Sequence, residues 1–281
     1  MLECVSQHAC FGGVQGFYRH DSTAIGLPMR FSVYQPLQAQ HHPVPVLFYL
    51  AGLTCSEETF MVKAGAQRFA AQHGIMLVTP DTSPRDTAIA GATDSWDFGE
   101  GAGFYLDATQ TPWNRHFRMD SYVTQELRRL ILDAFPARAD RIGVFGHSMG
   151  GHGALVLALR NPDIYRSVSA FAPVASPTRC PWGQKAFARY LGTEQAGWQQ
   201  YDASELMKMR TTPFPHGILI DQGLGDKFLQ EQLLPHEFEA ACATANQPLT
   251  LRRHEAYDHS YYFIATFVED HLAFHQRLLG A

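Results

Sequence analysis

Gly146-His147-Ser148-Met149-Gly150 stands between an apolar run, Ile142 to Phe145, and a helix-like run, Ala154 to Leu159. A strand that turns sharply into a helix holds the central residue in a strained conformation with its side chain exposed, and small residues two before and two after let the segments cross closely. That setting makes Ser148 the candidate nucleophile. The pentapeptide alone is a weak sign, because glycine-rich turns between strands and helices are common, and the flanking runs carry the argument.

A serine hydroxyl is a poor nucleophile near neutral pH, so Ser148 needs a base, and a histidine held by a carboxylate is the usual solution. The chain offers 14 histidines. With an elbow nucleophile the chain order is serine, acid, histidine, the last two in loops after later strands. His152 lies one helical turn past Ser148, His254 falls inside a strand, and His271 and His275 sit on an amphipathic C-terminal helix, where surface or packing roles are expected. His259 remains, in the polar connection Glu255-Ala256-Tyr257-Asp258-His259-Ser260.

The acid is expected after the strand His216 to Ile220, where Asp221-Gln222-Gly223-Leu224-Gly225-Asp226 offers two aspartates. Asp226 is the candidate, since turns at Gly223 and Gly225 carry it over the C-terminal edge of the sheet, where ligands bind in open α/β folds. Asp221 reads as a cap or turn partner, and the competing role for Asp226 is the N-cap of a helix beginning near Lys227. An oxyanion needs backbone donors, normally the amide after the nucleophile and one from the loop after an early strand. Met149 is the first; Leu53, to within one residue either way, is the second, in Ala51-Gly52-Leu53-Thr54-Cys55 after the strand ending at Leu50. Cys55 reads either as a thiol whose modification crowds this loop or as an inert buried residue.

The elements that must position these groups are legible as alternating short apolar strands and amphipathic helices. Strands are expected at residues 31–34, 44–50, 75–79, 142–145, 168–171, 218–220 and 249–251, and helices near 62–73, 120–134, 150–160, 229–245 and 260–278. This predicts an α/β fold, a mostly parallel, doubly wound sheet flanked by helices, in a single domain over residues 1–281. Residues 81–118 and 173–200 read as long irregular segments that shape a binding site. A net charge of −5 without charge runs argues against nucleic acid or an anionic membrane as partner, and no apolar stretch approaches the ~18 residues of a membrane span. The N-terminus lacks the charged and apolar regions of a secretory signal, and five cysteines without metal spacing fit a reducing cytoplasm and no metal site.

The chain resembles the S-formylglutathione hydrolases, the esterase D family of the α/β-hydrolase superfamily, over nearly its whole length. The resemblance rests on Ala51 to Cys55, Asp81-Thr82-Ser83-Pro84-Arg85, Ser95-Trp96-Asp97-Phe98-Gly99 with Gly101 to Tyr105, Gly146 to Leu155, Cys180-Pro181-Trp182-Gly183 and Tyr257 to Phe263. It implies the α/β-hydrolase fold and a cytosolic thioesterase of formaldehyde detoxification. It also implies a triad of Ser148, Asp226 and His259 and a formyl-serine intermediate, with no metal or organic cofactor. A glutathione thioester would be the substrate, and a homodimer is a family implication. Because the acyl group is minimal, recognition must fall on the thiol side. Trp96 and Trp182 are candidates to wall that pocket, and Lys185 or Arg85 to face the carboxylates, against the plainer roles of packing tryptophans and solvated bases. The same triad would serve a general short-chain carboxylesterase or an acyltransferase, while a silent binding module would be expected to have lost part of it.

Overall fold

Nine strands form one sheet in the computed structural model, which describes residues 2–280. They are β1 Leu2–Cys10, β2 Gly13–Asp21, β3 Pro28–Gln35, β4 Val44–Leu50, β5 Met76–Pro80, β6 Ala137–His147, β7 Ser167–Phe171, β8 Ile218–Gly223 and β9 Leu249–His254. Each strand expected from the sequence is present. The spatial order is β1-β2-β3-β5-β4-β6-β7-β8-β9, antiparallel from β1 through β3 to β5 and parallel from there to β9. The parallel strands β5 and β7 are buried at every position, Ser167 and Ser169 of β7 included.

The helices are α1 Thr59–Lys63, α2 Ala66–His73, α3 Met119–Ser121, α4 Arg128–Ala134, α5 Met149–Arg160, α6 Pro181–Tyr190, α7 Ala203–Met209, α8 Pro235–Thr244 and α9 Tyr261–Leu279. The helix expected near 62–73 is broken by Gly65 at φ = +67°, and the one near 229–245 by Leu234 at φ = +49°. A π-helical stretch, Tyr122–Leu127, joins α3 to α4. Residues 173–200 are not irregular throughout, as the sequence suggested. Pro181 suits the first position of α6, and the Cys180 sulfur accepts from the Gly183 amide at 3.4 Å, so an apolar-poor segment still nucleates a helix. No helix among the described residues is long and apolar enough to cross a membrane.

Helix α5 packs on β4, β6 and β7, and α9 on β6, β7 and β8. His271 and His275 of α9 are fully buried. The Ser169 hydroxyl lies 2.8 Å from His271 Nδ1 and 2.8 Å from His275 Nε2, and Ser167 lies 2.6 Å from His275 Nδ1. Ser167 and Ser169, two apart on β7, share a face, so this polar seam fixes the helix against the sheet.

Asp221 requires a correction: it is no turn cap but a buried anion within β8. Arg252 of β9 grips its two oxygens at 2.6 and 2.5 Å, His271 Nε2 lies 3.3 Å from Oδ2, and His254 Nε2 stands 3.3 Å from Oδ1 without hydrogen-bonding geometry. Burial pushes the carboxyl up, but hydrogen bonds from His271 and Arg252 outweigh it and hold the group well below the usual carboxylate range. A depressed folded value means that the stabilisation is complete above the unfolded value of ~3.9 and is lost as pH falls below it. Removing one partner of a buried pair leaves an uncompensated charge, so Arg252→Ala should lower stability by about 3 kcal/mol in urea denaturation at pH 7. An unchanged midpoint would count against the hub.

Candidate active site

Between the end of β6 and the start of α5, Ser148 sits at φ = +57°, ψ = −120°. This lies outside the left-handed helical well and costs a non-glycine residue about 1–3 kcal/mol. Close packing enforces it: a Cβ on Gly146 would lie 2.2 Å from the Gly150 carbonyl oxygen, and one on Gly150 would lie 1.9 Å from that of Leu50. The Ser148 amide donates to Phe171 O at 3.0 Å, and its carbonyl accepts from His152 and Val174 at 2.9 and 3.1 Å.

Ser148 opens on a cleft of about 280 Å³ that His259, Leu53, Trp96, Trp182 and Phe228 also line. The sheet brings them together at one edge, because the connections after β4, β6, β8 and β9 all leave from strand C-termini. His259 Nδ1 lies 2.5 Å from Asp226 Oδ2. The other oxygen, Oδ1, accepts from the Phe228 amide at 2.9 Å, so the buried carboxylate both caps its turn and holds the histidine. With Nδ1 engaged, His259 is left with Nε2 as its free ring nitrogen.

His147 packs against His259 with ring centroids 4.3 Å apart, and Phe228 meets it edge-on at 5.1 Å. Burial, reinforced by the neighbouring His259, pushes His147 well below the usual histidine range. A neutral ring therefore supports His259 without like-charge repulsion. The Met149 amide opens α5, where backbone N–H groups lack intrahelical acceptors. In the facing loop the Thr54 amide donates to Gly101 O at 2.9 Å and that of Cys55 to Gly52 O at 3.3 Å. Among the described residues the Gly52 and Leu53 amides have no backbone acceptor.

The family model described as "Putative esterase" matches residues 22–274. The S-formylglutathione hydrolase of Rattus norvegicus is 52% identical, the match covering 100% of this chain and 99% of the relative. That of Paracoccus denitrificans is 50% identical, covering 99% and 98%. The chain belongs to the S-formylglutathione hydrolase family. The solved structure of an S-formylglutathione hydrolase from Agrobacterium tumefaciens, 46% identical, superposes with a TM-score of 0.96 over 99% of each chain. A ferulic acid esterase from Anaeromyces mucronatus, 18% identical with a TM-score of 0.67 over 98% of this chain and 92% of that one, shares the fold.

Within this family member, exposed Trp96 and buried Trp182 meet edge-to-face at 5.5 Å on the cleft wall. Lys185 is not on the cleft lining. Its ammonium lies 2.5 Å from Asp97 Oδ1 and 2.7 Å from Ser95 Oγ, which pins the turn bearing Trp96 to α6, the helix bearing Trp182. Arg85 is likewise engaged: Nε and Nη2 hold Asp81 at 3.0 and 2.7 Å, and Nη2 donates to Cys55 O at 2.9 Å, bracing the loop of Gly52 and Leu53. Each cation is paired with an internal carboxylate, and neither lines the cleft. Cys55 does line the cleft, but burial pushes its thiol up, away from the reactive thiolate. Sequence reasoning missed His147, Lys63, Phe228 and Tyr261 as lining residues; the last two follow closely on the acid and histidine loops, a signal that was present. Among the described residues no cluster of three or more His, Cys, Asp and Glu side chains is arranged to hold a metal.

If Ser148 bears backbone strain, Ser148→Gly should raise stability by about 1 kcal/mol, net of glycine's greater freedom in the unfolded chain. Thermal and urea unfolding read this, and a destabilised variant would mean that the elbow conformation is unstrained.

Proposed function

We propose that this chain hydrolyses S-formylglutathione to glutathione and formate. Ser148 acts as nucleophile, His259 as general base and acid, and Asp226 as the group that orients His259 and stabilises its imidazolium. Ser148 Oγ adds to the formyl carbon as His259 Nε2 takes its proton. The intermediate collapses with cleavage of the C–S bond, the imidazolium protonating the departing sulfur, and leaves a formyl ester on Ser148. Water, deprotonated by His259, then attacks that ester to release formate and return the proton to Ser148. The Met149 and Leu53 amides receive the oxyanion in both halves.

The observation that carries this reading is the convergence on one cleft of an elbow serine and a histidine already bound to a buried carboxylate at 2.5 Å. Full-length identity of 52% to an S-formylglutathione hydrolase supplies the substrate. Trp96 and Trp182 serve as the wall for the thiol portion. We further take residues 1–281 as one domain working in the cytoplasm, without cofactor, as a homodimer.

The test is kcat/KM for S-formylglutathione beside a short-chain p-nitrophenyl ester. A marked preference for the thioester is expected, and Ser148→Ala should lower kcat by about 10⁴-fold or more with the fold intact. Equal or better ester turnover would indicate a general carboxylesterase, and activity surviving in Ser148→Ala would overturn the nucleophile. Asp226→Asn should cost about 10⁴-fold in kcat with little change in KM, since it removes the anion that fixes the histidine tautomer.

A further inference from the structure

The chain contains four lysines, Lys63, Lys185, Lys208 and Lys227. Lys185 pairs with Asp97 at 2.5 Å and Lys208 with Glu205 at 2.7 Å. Lys63 and Lys227 make no ion pair among the described residues, and they stand at the cleft and in a depression beside it. Lys63, at the end of α1, lines it directly. Lys227 lines an adjoining depression with Gly225, Asp258, His259 and Ser260, the last two shared with the cleft itself. Each ammonium rests over an aromatic ring of the cleft wall, Lys63 at 5.7 Å from the Tyr261 centroid and Lys227 at 4.9 Å from that of Phe228. A ring face orients a cation without neutralising it, so both charges stay available to an anion. In a chain of net charge −5, two unpaired lysines beside the proposed nucleophile and base form a local positive field.

The two sites differ. No carboxylate lines the cleft around Lys63. Asp258 lines the depression with Lys227, accepting from the Ser260 amide at 3.0 Å and its hydroxyl at 2.6 Å, which holds the carboxyl below its usual range. Glutathione is asymmetric in the same way: its glycyl end carries a carboxylate alone, and its γ-glutamyl end carries a carboxylate and an ammonium on one carbon.

We propose that Lys63 and Lys227 are the specificity residues for the glutathione portion of the substrate, Lys63 holding the glycyl carboxylate and Lys227 with Asp258 holding the zwitterionic γ-glutamyl head. This rests on the S-formylglutathione reading above. The thioester sulfur then lies between the two anchors, with the formyl group at Ser148, and the cations that the sequence suggested, Lys185 and Arg85, are replaced by these two.

The test compares wild type, Lys63→Ala, Lys227→Ala and the corresponding arginine variants on three thioesters. These are S-formylglutathione, its glycinamide analogue, and S-formyl-N-acetylcysteinylglycine, which lacks the γ-glutamyl head. Each alanine variant should raise KM for S-formylglutathione about tenfold, with kcat changed far less, in keeping with loss of one charge-assisted contact. Arginine should recover most of it. The Lys63→Ala penalty should vanish on the glycinamide, and the Lys227→Ala penalty on the N-acetyl substrate. Penalties that are absent, that persist on the truncated substrates, or that swap between the lysines overturn the assignment while wild-type preference for S-formylglutathione stands. Wild type that turns over a neutral p-nitrophenyl ester better than S-formylglutathione overturns the functional reading and this one with it.

Discussion

The first turn of α5 crosses the ends of β6 and β4 so closely that no side chain fits between them. A methyl group on Gly150 would meet the Leu50 carbonyl at 1.9 Å, and one on Gly146 would meet the carbonyl of Gly150 at 2.2 Å. Three features of the site follow from that contact. Ser148 is forced to φ = +57° and its side chain is turned out of the sheet into the cleft. The Met149 amide is placed at the unsatisfied, positive end of a helix buried from Met149 to Leu159. The loop that begins just after Leu50 is brought to the same point, so a Cβ on Gly52 would lie 3.2 Å from that of Ser148. Proposed nucleophile and oxyanion donors are thereby brought together by backbone sterics, and Arg85 and Thr82 fasten the second loop by hydrogen bonds to the Cys55 carbonyl.

The acid and histidine are held differently, by buried charge. Asp221 joins β8, β9 and α9, the elements that flank the loops of Asp226 and His259. Such a hub adds little net stability over an apolar one, but any element that shifts leaves a charge unpaired, so it selects one arrangement of the three. Two paired cations serve the same end. Lys185 ties the turn of Trp96 to the helix of Trp182, and Arg85 ties the loop of Gly52 and Leu53 to Asp81.

Legibility in the sequence followed the physics of each element. β4 and β5 were readable because burial on both faces makes them largely apolar runs, and the elbow because glycine at two fixed positions is a steric requirement. Asp226 and His259 were readable from chain order and turn placement, and the structure sets them 2.5 Å apart. The β1–β2 hairpin was not read: β1 is exposed on nearly every residue, so no alternation marks it, although the Phe11-Gly12 turn, at φ = +47° and +77°, was a usable signal. Asp221 was misread because its partners Arg252 and His271 lie 31 and 50 residues away, and the pairing of Lys185 was not foreseen because Asp97 lies 88 residues before it. Local sequence shows that a charge exists but not what neutralises it.

The central claim is that the strained elbow presents Ser148, and no other group of the cleft, to the formyl carbon. Rapid acid quench of the enzyme with isotopically labelled S-formylglutathione, followed by peptide mass mapping, addresses it directly. The labelled formyl group is expected as an ester on Ser148 at early quench times. Label on Cys55 or another nucleophile lining the cleft, or turnover with no formyl-enzyme at any quench time, would contradict it.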